Sequence, residues 1–310
     1  MIEAAGLTKT YRRKTVVDNV SFRVDTGKAT GFLGPNGAGK STTMRLMLGL
    51  DSGGGTTTFD GKPLSSYVRP SKIVGILLEA KAFHPTRTAQ NHLKVLADAG
   101  SIKSSRVDEV LELVGLTEVA KKGPGKFSLG MSQRLGIAAA ILGSPKYLLL
   151  DEPANGLDPE GIAWLRKFIQ DYANQGNAVF VSSHLLSEMS LMADNIVVIG
   201  KGKLIADTTV SSLISTSTHA GVYVRTPTRS KLEKVLRQRL LAFKRSGDGL
   251  NVQGVKTEDI GKLAFDAGVP IYELSTASAS LEEAYMELTA GSQEYKTHKA
   301  GSPGSLRTKK

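Results

Sequence analysis

The sequence predicts an α/β fold built on a phosphate-binding loop, with an antiparallel β-layer before the loop, a helical insert after it and a small α+β unit at the end. Three observations carry that prediction. Gly34-Pro35-Asn36-Gly37-Ala38-Gly39-Lys40-Ser41-Thr42 fits the pattern G-x-x-x-x-G-K-[ST]. The loop follows the apolar run at 29–33 and opens into helix formers at 43–48 that close at Gly49, so strand, glycine loop and helix come in the required order. Apolar runs at 73–78, 147–150, 178–183 and 196–199 then read as further buried strands.

The chain has 310 residues, which fits about two domains at the usual ~150 residues each. Its 40% hydrophobic content supplies a core, and no run approaches the ~18 apolar residues that a membrane helix needs. The first residues lack a basic flank followed by an apolar stretch, so no secretory signal is expected. The absence of cysteine excludes disulfides and thiolate metal sites and fits a cytosolic setting. A formal net charge of +11 admits nucleic acid, an anionic membrane face or phosphate ligands as partners. Part of that charge is local: residues 291–310 carry Lys296, Lys299, Arg307, Lys309 and Lys310 against Glu294 and read as a disordered basic tail.

Residues 2–26 alternate apolar and polar in short pieces, as in Val20-Ser21-Phe22-Arg23-Val24, and predict the antiparallel layer. Tyr11 ends one piece. Its ring either stacks on an adenine face or is an ordinary strand tyrosine. In the phosphate-binding loop, Gly34, Gly37 and Gly39 let consecutive backbone N–H groups turn inward, around Asn36 and Ala38, and the helix start adds its positive dipole end. Lys40 would reach the β- and γ-phosphates, the Ser41 hydroxyl would be a ligand to Mg2+, and Thr42 completes the loop.

Ser52-Gly53-Gly54-Gly55 leads into a strand at 56–60, and Ile73-Val74-Gly75-Ile76-Leu77-Leu78 delivers Glu79 to the carboxyl end of a buried strand, where open α/β sheets bind ligands. A helix beginning near Thr88 follows. A second starts at Ser104-Ser105 and places Val107, Val110, Leu111 and Val114 at i, i+3, i+4 and i+7. These helices make a mostly helical insert over about 84–145. Within it, a glycine-bearing loop at 123–134 opens into an apolar helix at 135–142, a second helix start suited to an anion.

Tyr147-Leu148-Leu149-Leu150 feeds two adjacent carboxylates, Asp151 and Glu152, and Pro153 ends the strand. In phosphate-loop proteins the first such Asp helps hold Mg2+. Glu152, just past the sheet edge, is placed to orient or deprotonate a water. The strand at 178–183 brings His184 to the same edge. Runs at 196–199 and 203–206 flank Gly200-Lys201-Gly202 as a hairpin. The run from Ser211 to Thr218 reads as a linker. Strand-like pieces at 222–225, 250–254 and 271–275 then alternate with helices near 228–243, 257–267 and 280–289, the last opened by the capping box Ser280-Leu281-Glu282-Glu283.

Assembled in order, these pieces resemble the nucleotide-binding subunit of an ABC transporter. The resemblance covers roughly residues 1–215 and rests on five motifs: the loop at 34–42, the signature-like FSLGMSQR at 127–134, YLLLDE at 147–152, the NGLD turn at 155–158 and His184. FLGPNGAGKSTTMR, the FSLGM form, SSHLLSEM and the closing SLEEAYMELT are most similar to the multidrug, bacitracin-resistance and lantibiotic-immunity exporter type. The resemblance implies a P-loop NTPase core over 1–215, an accessory α+β domain over 219–290, and ATP with Mg2+ as cofactors. Metal ligation would fall to Ser41, Glu79 and Asp151. It also implies a head-to-tail dimer in which Ser128 and Gly130 of one copy face the nucleotide held by the loop of another, with Glu152 as general base, His184 on the γ-phosphate and Asp158 aligning the interface.

Two departures stand out. The usual LSGGQ reads Phe127-Ser128-Leu129-Gly130-Met131, and the usual Gln after the second core strand is Glu79, as in the bacitracin and lantibiotic subgroup. The expected function is an ATP-hydrolysing subunit that powers a separate membrane permease, exporting a drug, antibiotic or peptide. It would sit peripherally on the cytoplasmic face of the membrane, with no nucleic-acid partner. The alternatives are a soluble ABC-type ATPase acting on ribosome or DNA, a phosphate-loop kinase, and a nucleotide-gated module without hydrolysis.

Overall fold

The computed structural model describes residues 1–84, 86–217, 220–277 and 279–289, so the basic tail lies outside the described residues. The chain opens with β1 (Ile2–Tyr11) and β2 (Lys14–Val24), then β3 (Lys28–Leu33), α1 (Lys40–Met47), β4 (Gly54–Phe59) and β5 (Val74–Leu77). β2, β1 and β4 form a three-stranded antiparallel layer, as the alternating pattern predicts. Its inner side chains meet α1 and one face of the central sheet, where Phe22, Phe32 and Phe180 pack ring to ring at 4.9–5.7 Å.

Three helices follow: α2 (Ala89–Ala99), α3 (Ser105–Leu113) and α4 (Leu129–Ile141). Thr88 caps α2 by accepting from the N–H of Asn91, and Val107, Val110 and Leu111 bury the predicted stripe of α3. α4 begins at Leu129, not at 135. Ser128 accepts from the N–H of Met131, and that cap starts the helix a turn and a half early, drawing Gly130 to Arg134 into it.

The core resumes with β6 (Tyr147–Leu150), α5 (Pro159–Asn174), β7 (Ala178–Ser182), α6 (Leu186–Met192), β8 (Asn195–Gly200), β9 (Lys203–Thr209) and α7 (Val210–Thr216). The six-stranded sheet runs β5-β6-β7-β3-β8-β9, parallel except for the β8–β9 hairpin. Every residue of β6 and β7 is buried, since the sheet is covered on both faces, and this is why these strands read as continuous apolar runs. The stretch read as a linker is α7: Thr209 caps it, and Val210 and Leu213 are buried. Burial against the core overrides the low helix propensity of its serines and threonines.

The chain ends with β10 (Gly221–Arg225), α8 (Arg229–Gln238), β11 (Phe243–Ser246), β12 (Gly249–Val252), α9 (Thr257–Asp266), β13 (Glu273–Ala277) and α10 (Leu281–Thr289). Strand order β11-β12-β10-β13 makes β10 to β13 an antiparallel βαββαβ unit with its own core, including Val222, Leu232, Leu250 and Ile260. The helix expected over 228–243 stops at 238 and yields to the exposed edge strand β11. The capping box at Ser280 forms, with Ser280 and Glu283 each accepting from the other's backbone N–H. α10 then leaves the βαββαβ unit: Leu281, Ala284 and Tyr285 join the core of the six-stranded sheet against α6 and α7.

Candidate nucleotide-binding and catalytic site

The parallel order sends the carboxyl ends of β3, β5, β6 and β7 to one sheet edge, where such sheets hold ligands. Register does the rest. Phe32 lies opposite Ser182, Leu150 opposite Val181 and Leu77 opposite Leu150, so the loops carrying Gly34, Glu79, Asp151, Glu152 and His184 leave the sheet nearly level.

The phosphate-binding loop wraps a cavity of about 370 Å3 lined by Val16, Pro35, Asn36, Gly37, Gly39, Lys40, Ser41, Thr42 and Glu152. Gly39 stands before the first residue of α1 at φ +104, and a Cβ there would meet the Val16 carbonyl at 2.6 Å, so only glycine lets the chain turn into the helix at this point. Ala38 is buried and Asn36 and Gly37 are exposed. No side chain caps α1, whose first residues Lys40, Ser41 and Thr42 line the cavity, and a helix start left uncapped in this way suits an anion. Lys40 is 7% exposed, and its ammonium donates to the Gly34 carbonyl at 2.8 Å.

Glu152 joins the loop to the rest of the site. Its Oε1 is 3.6 Å from Lys40 Nζ, and its Oε2 is 2.7 Å from His184 Nδ1. Its backbone is left-handed, φ +48, a conformation that costs a side-chain-bearing residue roughly 1–2 kcal/mol and that the neighbours must hold. Ser182 does part of this: its hydroxyl accepts from the Glu152 N–H at 2.9 Å and donates to Asp151 Oδ1. One strand-end serine therefore sets both carboxylates. Gln133 of α4 does the other part, donating from Nε2 to the carbonyls of Glu152 and Asn155 at 3.2 and 3.3 Å.

The remaining predicted residues lie further out. Glu79 is exposed past β5, and it adds only a lesser part to the raised pKa of Arg45, which comes first from the hydrogen bond to Asp51. Tyr11 lies outside the cavity lining. Its hydroxyl donates to Asp51 Oδ2 at 3.0 Å, Lys9 stands 4.8 Å over its ring, and the Asp51 hydrogen bond raises its pKa above the ordinary phenol value. Arg45, 3.1 Å from the same carboxylate, is the main cause that lowers the Asp51 pKa. Ser128 and Gly130 open α4 against the turn at 155–157 and do not line the cavity of their own loop. Asp158 caps α5, its Oδ1 accepting from Gly161 N–H at 2.9 Å.

Three contributors escaped sequence reasoning. Val16 gives no signal, being an ordinary strand residue whose carbonyl braces Gly39. Ser182 left a faint one, a polar end on an apolar strand beside His184. Gln133 was visible only as part of FSLGMSQR.

A metal fits as a companion of the nucleotide. Among the described residues no group of three or more His, Cys, Asp or Glu forms a metal cage. Ser41 and Asp151 offer the one hydroxyl and one carboxylate that Mg2+ uses when phosphate oxygens and water complete its shell.

Comparison with known proteins bears on the family and the fold. Residues 17–155 match the ABC transporter family model, and residues 220–282 match a domain of unknown function, DUF8746. The chain is 36% identical over 304 residues to YhcH, an ABC transporter ATP-binding protein of Bacillus subtilis (strain 168), covering 96% of this chain and 99% of that protein. It is 42% identical over 211 residues to the bacitracin transport ATP-binding protein BcrA of Bacillus licheniformis, 67% of this chain and 69% of BcrA. It is 39% identical over 208 residues to the lantibiotic transport ATP-binding protein SrtF of Streptococcus pyogenes, 67% of this chain and 90% of SrtF. In fold it matches the ATP-binding subunit of an ABC transporter, with TM-score 0.66 and 24% identity over 93% of this chain and 99% of that one. With a shared fold and a relative aligned along almost its whole length, this chain belongs to the ABC transporter family, among its ATP-binding proteins.

Proposed function

We propose that the chain is the ATP-hydrolysing subunit of an exporter whose permease is a separate polypeptide, and that the cargo is a drug, antibiotic or peptide. The observation that carries the hydrolytic reading is the Glu152 carboxylate, held between Lys40 at 3.6 Å and His184 at 2.7 Å on the wall of the phosphate-loop cavity. A carboxylate beside the γ-phosphate position takes a proton from the attacking water, and His184 and Lys40 hold it and the phosphate in line. Ser41 and Asp151 would hold Mg2+, which neutralises charge on the phosphate oxygens, and exposed Glu79 would join through its outer shell. Tyr11 would receive the base on the ring face not covered by Lys9. Replacing Glu152 by Gln keeps the shape and removes the base. Turnover is expected to fall roughly 10²–10⁴-fold with ATP binding retained, measured by phosphate release and by binding of a fluorescent ATP analogue. Near-normal hydrolysis would overturn the assignment.

Two copies would act together, head to tail. Ser128 accepts from Met131 N–H, which leaves its own hydrogen for an acceptor, yet it lies away from the loop of its own chain. A phosphate held by the loop of a second copy supplies that acceptor, and ADP does not reach it, so hydrolysis weakens the dimer. Asp158, at the start of α5 beside the same turn, would align the two copies.

The permease is supported by an apolar groove of about 550 Å3, lined by Leu48, Ile76, Leu96, Ala99, Ile102 and Leu142 among others. Leu50, Ile76 and Leu96 on this groove are 51%, 40% and 37% exposed, an apolar patch of the kind that marks a binding surface. No helix among the described residues is long and apolar enough to cross a membrane. The spanning part would come from the partner, and this subunit would lie against the cytoplasmic face. The names of BcrA and SrtF point to peptide antibiotics as cargo. We place the catalytic unit over 1–215, with the insert at about 84–145, and a regulatory or dimer-stabilising role in 219–290, whose last helix, α10, packs back on the catalytic core.

A further inference from the structure

α4 meets two different parts of the site. Its first turn carries Ser128 as cap and Gly130, and its second carries Gln133, which is 4% exposed. The Gln133 side chain crosses to the end of β6, where Nε2 donates to the carbonyls of Glu152 and Asn155. Between them, Ser182 and Gln133 hold the N–H and the carbonyl of Glu152, so the backbone on both sides of its strained Cα is fixed by side chains from two other elements. Gln133 Oε1 is buried without a hydrogen-bond partner among the described residues. A leucine or methionine would fill the same space with no unmet acceptor, so packing gives no reason for an amide here. The two bonds that Nε2 donates do.

The first turn of α4 grips the same loop. Leu129, the residue that departs from the usual glycine, lies so close to Gly156 that a Cβ at 156 would stand 2.2 Å from Leu129 Cδ2, and a Cβ on Gly130 would meet the Gly156 carbonyl at 3.1 Å. Helix and loop are therefore packed tightly against each other.

We infer that Gln133 is a positioning residue: it locks the backbone of Glu152 to α4, so that the aim of the base follows the position of Ser128 and Gly130. The inference rests on the reading of Glu152 as base and of Ser128 and Gly130 as the wall of a second copy's site. Under it, capture of nucleotide by one face of α4 orients the base in the other site, through one side chain. The two ATP sites are then linked without any contact between the two nucleotides.

The test uses the full chain with ATP, comparing wild type with Gln133→Leu, Gln133→Glu and Glu152→Gln. Gln133→Leu is expected to keep the affinity for a fluorescent ATP analogue within about twofold while kcat falls about 10²-fold, the scale of a misplaced catalytic group. Gln133→Glu retains a donor only while its carboxyl is protonated, a form that burial favours. Its kcat relative to wild type is therefore expected to fall as pH rises from 6 to 9, which a purely structural role would not produce. A lower denaturation midpoint with unchanged kcat and a pH profile parallel to wild type would overturn the inference. If Gln133→Leu does not fold, the pH profile of Gln133→Glu decides alone. Loss of turnover in Glu152→Gln together with wild-type kcat in Gln133→Leu would remove the positioning role and keep the base. Near-normal hydrolysis in both would remove both readings.

Discussion

Replacing Gly156 by alanine probes the contact between α4 and the turn after β6. Gly156 stands at φ +76, a left-handed conformation that costs alanine about 1–2 kcal/mol. The added Cβ would lie 2.2, 2.4 and 2.8 Å from Leu129 Cδ2, Cγ and Cβ. Rotation of the half-exposed Leu129 side chain relieves the first two contacts. It does not relieve the third, because Leu129 Cβ is fixed to the helix, so the first turn of α4 has to shift. Overpacking of this kind costs about 1–3 kcal/mol, and the two contributions together give a loss of roughly 2–5 kcal/mol. Leu129→Gly removes all three atoms. In the double variant only the backbone part is expected to remain, leaving a coupling of about 1–3 kcal/mol between the sites. The assay is urea denaturation followed by Trp164, the one tryptophan, whose ring lies 4.6 Å below the Arg134 guanidinium of α4 and so reports on that helix. Additivity of the two single variants within about 0.5 kcal/mol would refute the packing argument.

Two further outcomes follow from buried groups and exposed surface. His92 on α2 is 8% exposed, its Nδ1 has no hydrogen-bond partner among the described residues, and burial, aided by the charge of Arg87, lowers its pKa. The folded state therefore resists protonation that the unfolded chain accepts near ~6.5, and this contribution is whole above that pH and is lost as pH falls below it, by at most ~1.4 kcal/mol per unit. Urea midpoints between pH 7.5 and 5.5 should show this slope, and His92→Leu should flatten it; parallel curves for the two proteins would count against it. Leu96→Glu places a charge on the rim of the apolar groove at a position already 37% exposed. Co-purification with the permease should be lost while ATPase activity of the isolated chain stays within about twofold, and retained co-purification would move the docking surface elsewhere.

What the residues disclosed in advance depends on whether a feature is local. The phosphate loop was legible because its backbone demands glycine at 37 and 39, and the two carboxylates because an apolar strand has to end where they begin. Elements whose stability comes from elsewhere were misread. α7 looks like a linker because seven residues rich in serine and threonine form a helix only when Val210 and Leu213 find the core. β11 goes unread, its first residue taken as the end of the preceding helix and the rest left unassigned, because an exposed edge strand of sequence Phe-Lys-Arg-Ser carries no alternation.

The same distinction divides the site. Lys40, Ser41, Asp151, Glu152 and His184 each have a local reason to be there, and the sequence exposes them one by one. The conformation of Glu152 does not have such a reason. A left-handed glutamate is unfavourable in isolation, and it is held by a serine 30 residues later in the chain and a glutamine 19 residues earlier. Neither partner belongs to the chemistry, and neither spacing repeats a known pattern, so no reading of the residues in order brings the three together. The parallel register does so for Ser182, by setting β7 beside β6, and the early cap at Ser128 does so for Gln133, by placing position 133 inside a helix that faces the turn. The groups we propose to react are therefore written in the sequence, whereas the constraint on the proposed base exists only once three separate segments have folded against one another.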